Sequence, residues 1–195
     1  METGYQNRLQ ADPCKSRDCH PVCLEFFNYW NGLRDDSLVP SRRSFLPEEI
    51  PQLLGSFILV ELISDDEILT RLAGSQVVEN FGFDPKGVNY LDFVDQSRRH
   101  LASMNIWTTH RQPCGVWALT EQHYPEGKAV RSEMLGLPLD GDGISGPLVL
   151  FLRHAVSKPQ FLHKKPGHQP TNNILDLKFI DIGAGVPAGP LPTPE

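Results

Sequence analysis

Residues 38–54 read Leu38-Val39-Pro40-Ser41-Arg42-Arg43-Ser44-Phe45-Leu46-Pro47-Glu48-Glu49-Ile50-Pro51-Gln52-Leu53-Leu54. An extended lead-in stiffened by Pro40 precedes Pro47, which opens a short helix because its missing N–H goes unused in a first turn. Glu48 and Glu49 fall in that turn, where the helix dipole favours carboxylates, and Gly55 ends it. A continuous apolar strand follows, Phe57 to Ile63. Ser64-Asp65-Asp66-Glu67 joins it to a second strand, Ile68 to Leu72, as a hairpin.

Upstream, residues 1–20 are polar and aperiodic and read as a flexible tail. Pro21 suits a first helical turn, and Val22, Phe26, Phe27, Trp30 and Leu33 then recur as a helical stripe. Downstream, Gly74 breaks the second strand and Ser75 to Phe81 reads as a short helix capped by Ser75. Gly82-Phe83-Asp84-Pro85-Lys86-Gly87 is a turn cluster. The longest predicted helix spans Asp92 to Arg111, with Val94, Leu101, Met104, Trp107 and Thr108 near one face, and Pro113 cannot continue it.

Three more strands follow: Gly115 to His123, Lys128 to Leu137 and Leu148 to His154. Pro125-Glu126-Gly127 and Asp140 to Gly146 supply the turns. Strands split by a helical insert indicate an α+β domain on an antiparallel sheet. The domain is expected over residues 21–156. Residues 157–195 form an extension in which Ile174 to Ile182 is a strand or a docking segment, and the last dozen residues are expected to be disordered.

The formal charge of -6 excludes a general nucleic-acid binder, which needs a basic face. No apolar run reaches a membrane span, and the N-terminus lacks the order of a secretory signal. A soluble, cytoplasmic protein is the expectation. The four cysteines, Cys14, Cys19, Cys23 and Cys114, do not form a disulfide-framework pattern.

Several short anchors occur in order: Leu38-Val39-Pro40-Ser41-Arg42, Ile50-Pro51-Gln52-Leu53-Leu54, Arg71-Leu72-Ala73-Gly74, Phe81-Gly82 with Gly87, and Leu137-Pro138-Leu139. Together, over about Trp30 to Arg153, the chain resembles a bacterial subfamily of PAS domains, single-domain sensor proteins. The resemblance implies a five-stranded antiparallel sheet with the helical insert after strand two and N-terminal helices. It also implies a pocket between sheet and insert, and pairing through N-terminal helices or the sheet's outer face. The Val22 to Leu33 stripe serves that pairing or caps the sheet.

Facing of insert and central strands makes Met104, Trp107, Leu119, Met134 and Leu135 the candidate ligand-binding positions, with His100 and Arg71 added. A one-residue error in strand phase reverses the sheet choices. Arg71 also suits a structural role, pairing with a carboxylate or with loop carbonyls. The cofactor is unknown. The resemblance implies that an adduct-forming or chromophore-bearing Cys would lie in the insert, and Ser75 to Pro113 contains no Cys, which excludes that chemistry. The resemblance also implies that a haem ligand would be a His on the long insert helix, where His100 and His110 lie, although a surface or hydrogen-bonded His is the ordinary reading.

Cys14-x4-Cys19-His20-x2-Cys23 offers soft ligands, but structural zinc usually takes two paired knuckles, so free thiols are expected, with no metal. Gly141-Asp142-Gly143-Ile144-Ser145-Gly146 matches a dinucleotide fingerprint only in letters, since Pro147 and a strand follow it where a helix is needed. The chain has no nucleophile elbow and no P-loop, so catalysis is not expected. The reading is a stand-alone sensory module that binds a small molecule or a signalling protein and forms a homodimer. The alternative is an interaction adaptor with a solid core.

Overall fold

The computed structural model describes residues 19–123, 129–156 and 171–188. The tail up to residue 18, Cys14, the Pro125-Glu126-Gly127 turn and the last residues of the extension lie outside that set. Three α-helices are described: α1 (Pro21–Gly32), α2 (Ser75–Phe81) and α3 (Arg99–Arg111). Six strands are described: β1 (Phe57–Ser64), β2 (Glu67–Ala73), β3 (Cys114–His123), β4 (Ala129–Leu139), β5 (Leu148–Ala155) and β6 (Thr171–Asp181). They form one sheet in the order β2-β1-β5-β4-β3-β6, and every neighbouring pair is antiparallel.

The central strands bury both faces, so their side chains divide by parity. Phe57 and Leu59 of β1, with Leu150 and Leu152 of β5, pack under α1. Ile58 and Val60, with Val149 and Phe151, pack under α2, α3 and the turns between them. A sheet covered on both sides loses the polar/apolar alternation and reads as a continuous apolar run, as Phe57 to Val60 does before Glu61 interrupts it.

Helix α1 docks on its own sheet. Cys23, Phe26, Phe27 and Trp30 are buried there, and the Trp30 indole N–H donates to the Pro138 carbonyl at 2.8 Å. Each large side chain so buried contributes roughly 1.5–3 kcal/mol relative to exposure. The stripe therefore acts as a cap to the sheet. The lead-in lies beside the end of β4, where the Arg42 N–H donates to Asp140 O at 2.8 Å and the Asp140 N–H to Pro40 O at 2.9 Å. Its two prolines then start successive 3-10 turns, Pro47–Glu49 and Pro51–Ser56, in place of the single short helix expected from sequence.

The sheet has six strands among the described residues, not five. Residues 171–181, assigned from sequence to the extension, pair with β3 along its whole length. The extension then turns on Asp181, whose carboxylate accepts from the Gly183 and Gly185 N–H groups, and buries Ile182 in the α1-side core. At the opposite edge, β2 is covered by residues 87–89: the Thr70 N–H donates to Val88 O and the Gly87 N–H to Thr70 O. Covering an edge strand in this way blocks pairing with other chains.

The insert is also more broken than periodicity predicts. In place of one helix over residues 92–111 there are two 3-10 turns, Tyr90–Phe93 and Gln96–Arg98, before α3. Side-chain caps set these breaks, with Asn89 accepting from the Leu91 N–H and Asp95 from the Ser97 N–H. Ser75 is the first helical residue of α2, and Gly74 is the cap.

Gly74 works through space and not through an unusual backbone angle. Its φ is -71°, whereas Gly82 and Gly87 have φ of 77° and 81°. A Cβ on Gly74 would lie 2.1 Å from Leu54 O and 2.4 Å from the Gly55 carbonyl carbon. Gly74→Ala is expected to destabilise the fold by at least about 1–3 kcal/mol through backbone displacement. Gly32→Ala, whose Cβ meets nothing within 4 Å, should instead stabilise by about 0.5–1 kcal/mol. Urea unfolding at constant slope measures both.

Candidate functional site

Between the inner face of the sheet and the insert lies a cavity of about 20 Å³. Its sheet wall is Ile58, Thr70, Met134 and Arg153, and its roof is Phe81, Pro85, Tyr90 and Phe93. The roof is aromatic by construction. Phe81 and Phe93 meet edge-on at 5.1 Å between centroids, and Phe83 packs against both. Burial pushes the Tyr90 phenol up to about 12, so it stays protonated at neutral pH. The volume suffices for about one water molecule.

Beyond Met134 the inner sheet face turns polar. Thr120, Gln122, Ser132 and Arg153 are each more than nine-tenths buried. Arg153 donates to the Gln122 side-chain oxygen at 3.0 Å, and the Thr120 hydroxyl donates to Ser132 O at 3.2 Å. The Ser132 hydroxyl has no hydrogen-bond partner. A buried hydroxyl left unsatisfied costs about 1–3 kcal/mol, a cost that the Ser103 hydroxyl of α3 shares.

Of the positions expected from sequence, Met134 lines the cavity. Met104 and Trp107 are half-buried on α3, where the Trp107 indole N–H donates to Ser64 O at 3.1 Å. Arg111 lies over the Trp107 ring and pairs with Asp65 at 2.7 Å, so this face of α3 holds the β1–β2 hairpin. Leu119 and Leu135 face the opposite side, toward the α1 core. The expectation that they meet the insert is corrected by strand phase: Ala118 and Met134, not their neighbours, share the inner face. His100 is exposed.

His110 is half-buried and its Nε2–H donates to Leu148 O at 2.8 Å, which makes it the hydrogen-bonded kind of histidine. The Gly141–Gly146 segment is the β4–β5 loop. Asp142 accepts there from the Ile144 and Ser145 N–H groups, which hold its carboxyl down at about 2.

Arg71 pairs with Glu61 of β1, whose other oxygen accepts from the Gly146 N–H at 2.7 Å. Glu61 is 4% exposed. The pair thus ties β1, β2 and the β4–β5 loop together, away from the cavity lining. Within the cluster expected to hold free thiols, Cys23 is free, whereas Cys19 is disulfide-bonded and corrects that expectation; Cys114 is free as well. Burial pushes the Cys23 and Cys114 thiols up to about 12.

A family model described as PAS domain matches residues 19–150, about two thirds of the chain. The chain belongs to the PAS domain family. A search of curated proteins found no match. The antiparallel sheet with an insert after its second strand agrees with this PAS assignment, and β6 lies outside the matched span. No helix among the described residues is long and apolar enough to cross a membrane.

Sequence reasoning missed Arg153, Thr70, Tyr90 and the aromatic roof. Arg153 had a signal: it is a cation that ends an otherwise apolar run, Leu148 to Leu152, in a strand buried on both faces.

Two outcomes follow from these contacts. Arg71→Met strands the buried Glu61 carboxylate and is expected to cost about 1–3 kcal/mol in urea unfolding. Burial holds His110 below its ordinary value, with the Leu148 hydrogen bond opposing. The unfolded chain therefore takes up that proton first. The His110 contribution is present above about pH 6.5 and is lost as pH falls toward the lower folded value. His110→Gln, a neutral donor, should flatten the stability difference between about pH 7.5 and 5.5.

Proposed function

We propose that this PAS domain is a cytoplasmic sensory module, without catalysis of its own, that takes up a small molecule under its insert. The ligand has a mainly apolar body and one acceptor group. The observation that supports this reading is the buried polar row beside the apolar cavity, with the Ser132 hydroxyl unsatisfied two residues from Met134 along β4 and on the same face. Arg153, at the junction of the two, offers a planar fork of donors suited to a carboxylate.

Entry of a ligand requires the Tyr90–Phe93 turn to lift, because the cavity as it stands is water-sized. That turn is tied to the hairpin by Asn89, which accepts from the Ile68 N–H at 3.0 Å and donates to Asp66 O at 2.8 Å. The signal would pass to a partner protein or to a second copy in a homodimer. The β6 edge, which pairs with no further strand among the described residues, is the surface open to either. The small volume favours a second reading, an interaction adaptor with a solid core.

Native mass spectrometry of freshly purified protein, with thermal melting against a panel of small aliphatic and aromatic carboxylic acids, separates the two. A retained mass or a rise in Tm is expected. A ligand at a hundred times its Kd should add about 2.7 kcal/mol. Arg153→Met should remove the effect of the acids while leaving a folded melt. Neither retained mass nor shift across the panel would leave the adaptor reading standing.

A further inference from the structure

On the outer face of the sheet, away from the cavity, three metal-ligating atoms converge where α1 begins. The Sγ atoms of Cys19 and Cys23 and a carboxylate oxygen of Glu133 all lie within 4.8 Å of one another. Zinc–sulfur bonds of about 2.3 Å and a zinc–oxygen bond of about 2.0 Å at the tetrahedral angle place the donors about 3.5–3.8 Å apart, so they need to close by about 1.3 Å at most. Cys23 is fully buried and Glu133 is 7% exposed.

The chemistry around Glu133 is unusual for a buried carboxylate. Its Oε2 accepts from the His20 N–H at 2.9 Å and from the Cys23 thiol at 3.6 Å. No Lys or Arg among the described residues forms an ion pair with it. Buried charges are normally paired or bound to metal. Two imidazoles stand close by. His154 is the cross-strand partner of Glu133, and its ring stacks on that of His20 with 3.8 Å between centroids. His20 Nδ1 is engaged in capping α1, where it accepts from the Val22 N–H, which leaves Nε2 as its ligating atom.

From this convergence we propose that the reduced protein binds one zinc-type divalent cation through Cys19, Cys23 and Glu133, with an imidazole of the His20–His154 pair or a water completing the tetrahedron. The donor set is the thiolate, carboxylate and imidazole mixture that zinc accepts. Only the two cysteines and His20 were visible as a local motif. Glu133 and His154 arrive from β4 and β5, more than a hundred residues away in sequence.

Cys19 is disulfide-bonded in the structure, so the site is redox-gated. A dithiol reductant supplies two electrons and two protons, breaks the S–S bond and leaves two thiols, itself becoming a disulfide. Metal binding then displaces the thiol protons of Cys19 and Cys23, so uptake increases with pH. Thiol–disulfide exchange with a small-molecule disulfide, which takes up the two electrons and two protons and leaves as two thiols, re-forms the Cys19 bond, removes one ligand and releases the ion. With the ion in place, the start of α1 is fastened to the β4–β5 ladder. The proposal does not depend on the cavity holding a ligand.

The test uses the full chain, reduced with a phosphine, desalted without oxygen and titrated with Co2+ and then Zn2+. One cobalt per chain is expected, with a thiolate-to-cobalt charge-transfer band and the intense visible bands of a tetrahedral ion, all abolished by zinc. Glu133→Gln and Cys23→Ser should each weaken binding at least about tenfold, the loss seen when even a ligand's supporting partner is disturbed. The oxidised chain should bind no cobalt. Absence of the tetrahedral spectrum in the reduced wild type overturns the site, a result that needs no variant to fold. An unchanged spectrum in Glu133→Gln, or equal binding by the oxidised chain, overturns it as well.

Discussion

The burial of β1 and β5 on both faces is the constraint from which the rest of this structure follows. A central pair that carries apolar side chains on both faces must be covered twice, by α1 on one side and by the insert on the other. Neither cover suffices alone, because each leaves a row of large side chains, Phe57 and Leu59 or Ile58 and Val60, against water. This explains why α1 spends its aromatic stripe on its own sheet. It also brings the Leu54–Gly55 backbone, at the end of the second 3-10 turn, so near Gly74 that no Cβ fits there.

Charges that occur in such strands need fixed partners, and they identify the polar joints of the molecule. Glu61 interrupts β1 and is met by Arg71 and the Gly146 N–H. Arg153 interrupts β5 and is met by Gln122. Glu133 in β4 is met by an amide and a thiol. A buried charge is a weak source of net stability, since desolvation offsets much of the attraction. Its value is positional, and each of these three joins elements distant in sequence.

The strands, the α1 stripe and the antiparallel order were legible because they rest on local periodicity and turn chemistry. Strand phase was not. Leu119 and Leu135 are as apolar as Ala118 and Met134, so in β3 and β4 the sequence offers no contrast to say which residue faces the insert. The sixth strand was only half legible, since its apolar residues are visible but its pairing with β3 is a long-range fact. The insert read as one long helix because Asn89 and Asp95 carry no penalty in a periodic count, yet their side chains cap new turns and stop helix propagation. Of the cavity, Met134 was anticipated. The roof was not, because its aromatics come from turns where no periodicity reports facing.

The cavity and the cysteine cluster stand back to back on consecutive rungs of one ladder. Met134 pairs with Arg153 and faces the insert, while Glu133 pairs with His154 and faces the start of α1. Alternation of side chains along a strand makes this arrangement unavoidable once both faces are covered. A shift of the β4–β5 pair that widens the cavity therefore moves Glu133 with it, and a bond that fixes Glu133 to α1 opposes that shift. A ligand on one face reaches the other by displacing an element that both share, and this pair of strands is such an element. The ligand can change the other face only to the extent that it prefers one placement of the pair over another.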